Sequence, residues 1–367
     1  MGLYKHLIRP ILFRFPSDFI HERTVQTGAF LGGYRAAGKV AGALYNYQHP
    51  SLEQNIAGLC FKNPVGLAAG FDKNGTLVPI IDSLGFGYTE VGSITANPSV
   101  GNPKPRSFRL HTDQSLINRM GLNNDGAQTV IKRLEKRPRT IPLGINIAKT
   151  HDPDIVGERA LEDYRISYQL ALPVADYITL NISCPNTREG KTFEDPASLD
   201  RLLTHLHIGK DKSSPPVLVK FSVDLDDAAL HELVDVCLSH SIDGFVATNT
   251  SAKRHELKTP SSKIEQIGTG GLSGAAIRTK STHIIRSIHD QTKGEKWIIG
   301  VGGIFSAADA IEKIKAGADL VQVYTALVYE GPALVKRIND GLVMYLREHN
   351  IDHLYQLRPG YSDVPAS

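Results

Sequence analysis

Cysteine is scarce in this chain. Its 367 residues contain three, Cys60, Cys184 and Cys237, far apart and in no CxxC pair. That excludes a disulfide framework and fits a reducing compartment. The 14 histidines are scattered without an HExxH spacing, so no metal is expected. Charge of one sign is lacking too. A net charge of +3, with no ladder of basic and aromatic residues, gives no reason to expect a nucleic-acid partner. There is no run of about 20 apolar residues to span a bilayer. Near the N-terminus no apolar segment precedes a small-residue cleavage site, so neither a signal peptide nor a targeting presequence is expected. Gly190-Lys191-Thr192 looks like the end of a P-loop, but Pro185 stands where its first glycine belongs. Gly268-Thr269-Gly270 follows no strand pattern, as a dinucleotide fingerprint would.

What is present is a globular composition, 41% hydrophobic and 22% charged, long enough for one large barrel or two medium domains. Residues 1–45 stand apart. Leu3, Tyr4, Leu7, Ile8, Ile11, Leu12 and Phe15 recur at helical spacing, with Lys5, His6, Arg9 and Arg14 between them. Pro16 breaks the pattern, Ser17 is the expected N-cap, and Phe19, Ile20, Val25, Phe30 and Leu31 mark a second helix. Two amphipathic helices with basic edges suit a membrane surface. They equally suit a helical hairpin packed on its own domain, and the pattern alone does not choose.

From residue 52 a short hairpin, 52–63, leads into alternating strand and helix patterns. Strands are expected at 65–68, 88–91, 143–147, 177–181, 217–220, 244–247, 297–300 and 320–323. Helices are expected at 76–84, 127–136, 158–171, 197–206, 226–239, 275–288, 307–316 and 332–348. Eight strands, each followed by a helix, indicate a (β/α)₈ TIM barrel over 46–350 rather than a doubly wound sheet, with a C-terminal tail at 351–367 that is expected to be loose after Arg358. Chemistry in such a barrel gathers at the C-terminal ends of the strands. Those ends carry 69–75, Ser93, Asn146, Asn181 before Cys184, Lys220, 248–250, 300–303 and Tyr324-Thr325. Amides and lysines dominate and no carboxylate pair occurs, which suits a flat, polar, anionic molecule and not glycoside hydrolysis. Glycines after strand seven and a hydroxyl after strand eight form a phosphate site, with Gly270-Gly271-Leu272-Ser273-Gly274 as a second glycine cluster. Cys184 presents a thiol between amide side chains, a group able to move a proton near neutral pH. Lys220 closes an apolar strand, where a cation can stabilise negative charge on a bound ring.

Taken in order, Gly66–Lys73, Ile117–Asn124, Asn181–Thr187, Ala247–Thr250, Thr269–Gly274, Ile299–Ile304 and Val323–Leu327 resemble dihydroorotate dehydrogenase from about residue 1 to 350. The resemblance implies FMN-dependent oxidation of dihydroorotate to orotate in pyrimidine synthesis, with a proton leaving C5 and a hydride leaving C6 for the flavin. It implies FMN held by Ala69, Gly70, Phe71, Asp72, Lys73, Ser93, Asn146, Asn181, Lys220, Thr248, Gly274, Gly303, Tyr324 and Thr325. Substrate would be held by Lys73, Asn118, Arg119, Met120, Gly121, Leu122, Asn181, Asn186, Asn249 and Thr250. Cys184 falls at the catalytic base. The N-terminal pair is similar to the extension of the membrane-associated, quinone-using class, whose tunnel residues match His21, Arg109 and Tyr324. That implies a monomer held peripherally on the cytoplasmic side of the inner membrane. The quinone-using class normally has Ser as base, whereas Cys is usual in the classes that use fumarate or NAD. Those acceptors, another FMN-dependent pyrimidine reductase, and a membrane-docked flavin-binding module without catalysis are the alternatives.

Overall fold

The computed structural model describes residues 4–137, 139–183, 193–209, 214–254 and 256–360. A hairpin of β1 (Gln54–Ile56) and β2 (Leu59–Phe61) leads into β3 (Val65–Leu67) and β4 (Tyr88–Ile94). A second hairpin, β5 (Ser107–Leu110) and β6 (Ser115–Asn118), precedes β7 (Leu143–Ile147), β8 (Tyr177–Asn181), β9 (Val217–Phe221) and β10 (Gly244–Ala247). Then come β11 (Gly271–Gly274), β12 (Trp297–Val301) and β13 (Leu320–Val323). β3, β4, β7, β8, β9, β10, β12 and β13 close a parallel barrel in that order. These are the eight expected strands. All start at the expected residue and end within three of the expected end. The fold is the (β/α)₈ barrel that the alternation predicts.

The barrel strands are buried almost throughout because both faces are covered, by the interior and by the outer helices. All five residues of β7, β8 and β9 are buried. At the N-terminal end the interior is filled by Tyr88 and Tyr177. A Cβ on Gly66 would lie 2.3 Å from Tyr88 Cζ, and one on Gly144 would lie 2.2 Å from Tyr177 Cζ, so small residues opposite make room for the rings. Phe61 of the hairpin packs edge-on to Tyr88 at 5.4 Å and closes that end.

The helices depart from expectation at their ends. The one placed at 76–84 begins at Val78 and ends as a 3₁₀ turn, Asp82–Leu84. The one placed at 275–288 opens with a 3₁₀ turn, Ala275–Ile277, and runs as α-helix from Arg278 to Thr292. Asp226 caps its helix from outside, accepting from Ala229 N. A short helix, Thr325–Glu330, precedes Leu334–Glu348. The N-terminal region differs more. Its first segment is a π-turn, Tyr4–Ile8, followed by an α-turn, Arg9–Leu12. Ser17 is not the N-cap. Pro16 occupies that position, and the Ser17 hydroxyl pairs with Ser107 at 3.1 Å. The second helix, Ser17–Gly32, ends at Gly33, and a third, Arg35–Tyr45, follows that the periodicity did not separate. Buried Asp18 accepts from Arg106 N at 2.7 Å and ties this extension to the barrel mouth. No described helix is long and apolar enough to cross a membrane.

Candidate active site

Over the C-terminal end of the barrel lies a small antiparallel sheet in the order β11-β6-β5. It was not foreseen as a sheet, although its residues include two of the singled-out motifs. It forms one wall of a mouth cavity of about 160 Å³. Ala69, Gly70, Lys73, Ser93, Asn118, Met120, Gly121, Leu122, Asn181, Lys220, Thr248, Asn249, Thr250, Gly274, Gly303, Tyr324 and Thr325 line that cavity. Four others on the expected list do not. Phe71 lies in the wall of a second cavity. Asp72 is buried behind the loop, accepting from Thr76 N at 2.9 Å and Leu77 N at 2.7 Å. Asn146 lies beneath Ser93, whose hydroxyl donates to it. Arg119 turns away, donating to the carbonyls of Ile267 and Thr269 and covering the Phe108 ring at 4.6 Å. Cys184 and Asn186 lie outside the described residues.

Charge and polarity in the cavity follow from burial. Lys73 donates to Gly70 O at 2.6 Å. Loss of water, and then the Arg106 charge, pull its ammonium down to about 8. Lys220 is buried on β9. The Thr248 hydroxyl is buried in the same cavity with no partner among the described residues. Just past the end of β12, Gly303 has φ +72° and lies so close to the start of the preceding helix that a Cβ would meet Arg278 Cβ at 2.4 Å. Only glycine fits there. The Ser273 and Thr325 hydroxyls meet at 2.8 Å on the same side.

The second cavity, about 290 Å³, lies between the N-terminal helices and the barrel. Ile20, Thr24 and Gly28 of the second helix face it at the i, i+4, i+8 spacing of one helical stripe, with His21 and Leu31 on the same side. Arg109 lines it as well, its guanidinium over Phe13 at 4.5 Å. Ser107, Leu116, Met120 and Tyr324 belong to both cavities.

The dihydroorotate dehydrogenase family model matches residues 51–346, most of the chain. The chain belongs to the dihydroorotate dehydrogenase family. It is 42% identical to the dihydroorotate dehydrogenase (quinone) of Synechococcus sp. (strain JA-3-3Ab), with 93% of each chain covered. It is also 42% identical to the protein of that name from Gloeobacter violaceus, over 97% of this chain and 98% of the relative. Among solved structures, that of Eimeria tenella DHODH in complex with ferulenol superposes with a TM-score of 0.83 at 32% identity, over 95% of this chain and 97% of that one.

Within this dihydroorotate dehydrogenase-family barrel, one functional-site neighbour escaped the sequence. Glu90 is fully buried below the mouth. It accepts from Asn146 Nδ2 and Gln322 Nε2, both at 2.8 Å, and from the Tyr177 hydroxyl at 3.2 Å. Above it Asn181 Nδ2 donates to Ser93 Oγ at 2.8 Å, and Asn249 Nδ2 donates to Asn181 Oδ1 at 3.1 Å. Its place in the strand run Tyr88-Thr89-Glu90-Val91 was the available signal, since a charge in a buried strand needs partners.

Proposed function

We propose that this protein oxidises dihydroorotate to orotate in pyrimidine synthesis, with FMN in the mouth cavity and a membrane quinone as electron acceptor. The observation that carries the reading is the pair of adjacent cavities, one presenting amides and lysines and the other lined mostly by apolar side chains, with Ser107, Leu116, Met120 and Tyr324 in the wall of both. Two half-reactions with ligands of opposite polarity need such an arrangement.

The residues present fit a flavin mononucleotide. Gly303, Gly274 and Thr325 offer backbone and hydroxyl donors suited to a phosphate. The Thr248 hydroxyl, which has no partner among the described residues, and the buried ammonium of Lys220 suit the polar edge of a ring. The chemistry FMN would supply when bound is acceptance of the C6 hydride and delivery of its two electrons to the quinone. The protein's own part is orientation, charge and proton removal. Lys220 stabilises negative charge that develops on the ring. Lys73 offers an ammonium to the carboxylate of the substrate, and Asn118, Asn181 and Asn249 hold its amide edge. Cys184 takes the C5 proton as thiolate, and Asn186 is a further amide for the substrate. A thiol with an ordinary value near 8.5 needs only a modest downward shift for this, whereas a serine needs a relay.

The extension over 1–45 forms the quinone tunnel with His21, Arg109 and Tyr324, the catalytic unit spans 46–350, and 351–367 is a tail. Phe30 and Val40 are 65% and 61% exposed on the extension, and Leu7 and Ile11 are similarly open. Such apolar exposure suits docking on the cytoplasmic face of the inner membrane as a peripheral monomer. The test is chemical. The purified protein should be yellow, release FMN on denaturation, and lose its colour when dihydroorotate is added without oxygen. A colourless protein, or a yellow one that dihydroorotate leaves unchanged, overturns the reading.

A further inference from the structure

We propose that Glu90 is a positioning residue that sets the donor and acceptor polarity of the amides presented to the substrate. This rests on the reading that the mouth cavity takes dihydroorotate and orotate. A carboxylate only accepts hydrogen bonds. Asn146 must therefore turn its NH₂ down to Glu90 Oε1, at 2.8 Å, and its carbonyl up. That carbonyl then accepts from the Ser93 hydroxyl. With its proton committed downward, Ser93 Oγ receives the NH₂ of Asn181 at 2.8 Å. Asn181 in turn points its carbonyl at Asn249, accepting from Nδ2 at 3.1 Å. The ladder closes where Asn249 Oδ1 accepts from Thr250 N at 2.8 Å.

Each amide in this series has one allowed orientation, held from both ends: the charge at the bottom sets Asn146 and commits the Ser93 proton, and at the top Asn249 Nδ2 also donates to Ser183 O at 3.1 Å. Tyr177 and Gln322 hold that charge from the other side as donors. A ring that alternates carbonyl and N–H groups along its edge needs donors and acceptors in a fixed order. An amide turned the wrong way sets donor against donor, and the buried groups are left unpaired. With a neutral amide at position 90 Asn146 can turn over, and the ladder loses the end that commits the Ser93 proton downward and leaves Ser93 Oγ to the NH₂ of Asn181. Gln322, whose Oε1 has no partner among the described residues, can then turn to suit either orientation.

The test compares Glu90→Gln, Asn146→Asp and the double variant, each as flavin-loaded protein. The readouts are the dissociation constant of orotate by calorimetry, KM and kcat for dihydroorotate, and the thermal midpoint. Glu90→Gln should raise the orotate dissociation constant and KM about tenfold, with a smaller effect on kcat. Asn146→Asp sets two carboxylates against each other and should be at least as impaired. The double variant moves the acceptor-only group one step up the ladder, where it still accepts from Ser93 and now from the amide at 90. It should bind orotate within about threefold of the wild type. A double variant that does not fold, or binds no better than the weaker single one, overturns the proposal. If Glu90→Gln alone does not fold, the comparison of Asn146→Asp with the double variant decides. A wild-type protein that neither binds orotate nor oxidises dihydroorotate fails the functional reading itself, a different outcome from an unrescued double variant.

Discussion

The rings of His21 and Tyr324 stack with centroids 6.3 Å apart and planes 10° from parallel. One comes from the N-terminal extension and the other from the end of β13. Phe71 packs edge-on to both, at 5.1 Å and 5.3 Å. Three uncharged rings thus stand where the polar and apolar cavities meet. Opening this wall should harm the second half-reaction more than the first. Tyr324→Ala should slow reoxidation by quinone about tenfold or more, while reduction by dihydroorotate changes less, and Tyr324→Phe should stay close to wild type. Stopped-flow absorbance, following each half-reaction separately, checks this.

His21 also makes stability depend on pH. Burial, and then the nearby Lys73 charge, hold its imidazole down to about 3 against an ordinary value of 6.5. Between those values the unfolded chain binds a proton that the folded one does not. Stability is therefore fully present above about pH 6.5 and falls as the pH drops towards 3. Replacing His21 by Phe should remove up to a few kcal/mol of that acid loss, roughly what a shift of this size is worth. Thermal midpoints of both proteins from pH 4 to 7 measure it.

Lys73 predicts the opposite limb for ligand binding. Its ammonium is held down to about 8, so it loses charge above that pH. Orotate, an anion, binds the charged form. Its dissociation constant should rise above pH 8, by up to about tenfold per unit, as expected when binding requires one proton. In Lys73→Met binding should be weaker at pH 7 and flat across this range. Calorimetric titrations at pH 7, 8 and 9 separate the two behaviours.

The thiol proposed as base should appear as activity that rises with pH before the Lys73 limb begins. Cys184→Ala should lower turnover by about 10²–10⁴, the usual worth of a positioned base, while leaving orotate binding nearly intact. Iodoacetamide should inactivate the protein, and orotate should protect it. Full turnover after Cys184 has been labelled counts against its role.

The barrel was legible because its strands carry short runs of β-branched and aliphatic residues between helical stripes, as in Val217–Phe221, where only Lys220 is polar. The strands of the mouth sheet were not. β5, β6 and β11 are four residues each and partly polar, and the β6–β11 pairing joins residues 115–118 to 271–274, far apart in the chain. At the N-terminus, helical spacing showed the apolar positions but not the break at Gly33, since a two-glycine step leaves the period nearly unbroken. The strand-end rule located the residues around the cavity, because inward positions at a barrel end are set by the pleat. It could not tell a residue that lines the cavity from one that supports it. Asn146 and Asp72 lie beneath or behind their neighbours, and Arg119 is drawn off by two backbone carbonyls. Glu90 is invisible to a search for paired carboxylates, since its partners are amides and a phenol.

The central claim is that electrons pass from dihydroorotate at the polar mouth, through the wall at Tyr324, to a quinone under the N-terminal helices. Steady-state oxidation of dihydroorotate by the purified protein, with a quinone, fumarate or NAD supplied in turn, tests it most directly. Rapid turnover with the quinone and little with the other two is the expected result. Turnover with fumarate or NAD that equals or exceeds turnover with the quinone contradicts it.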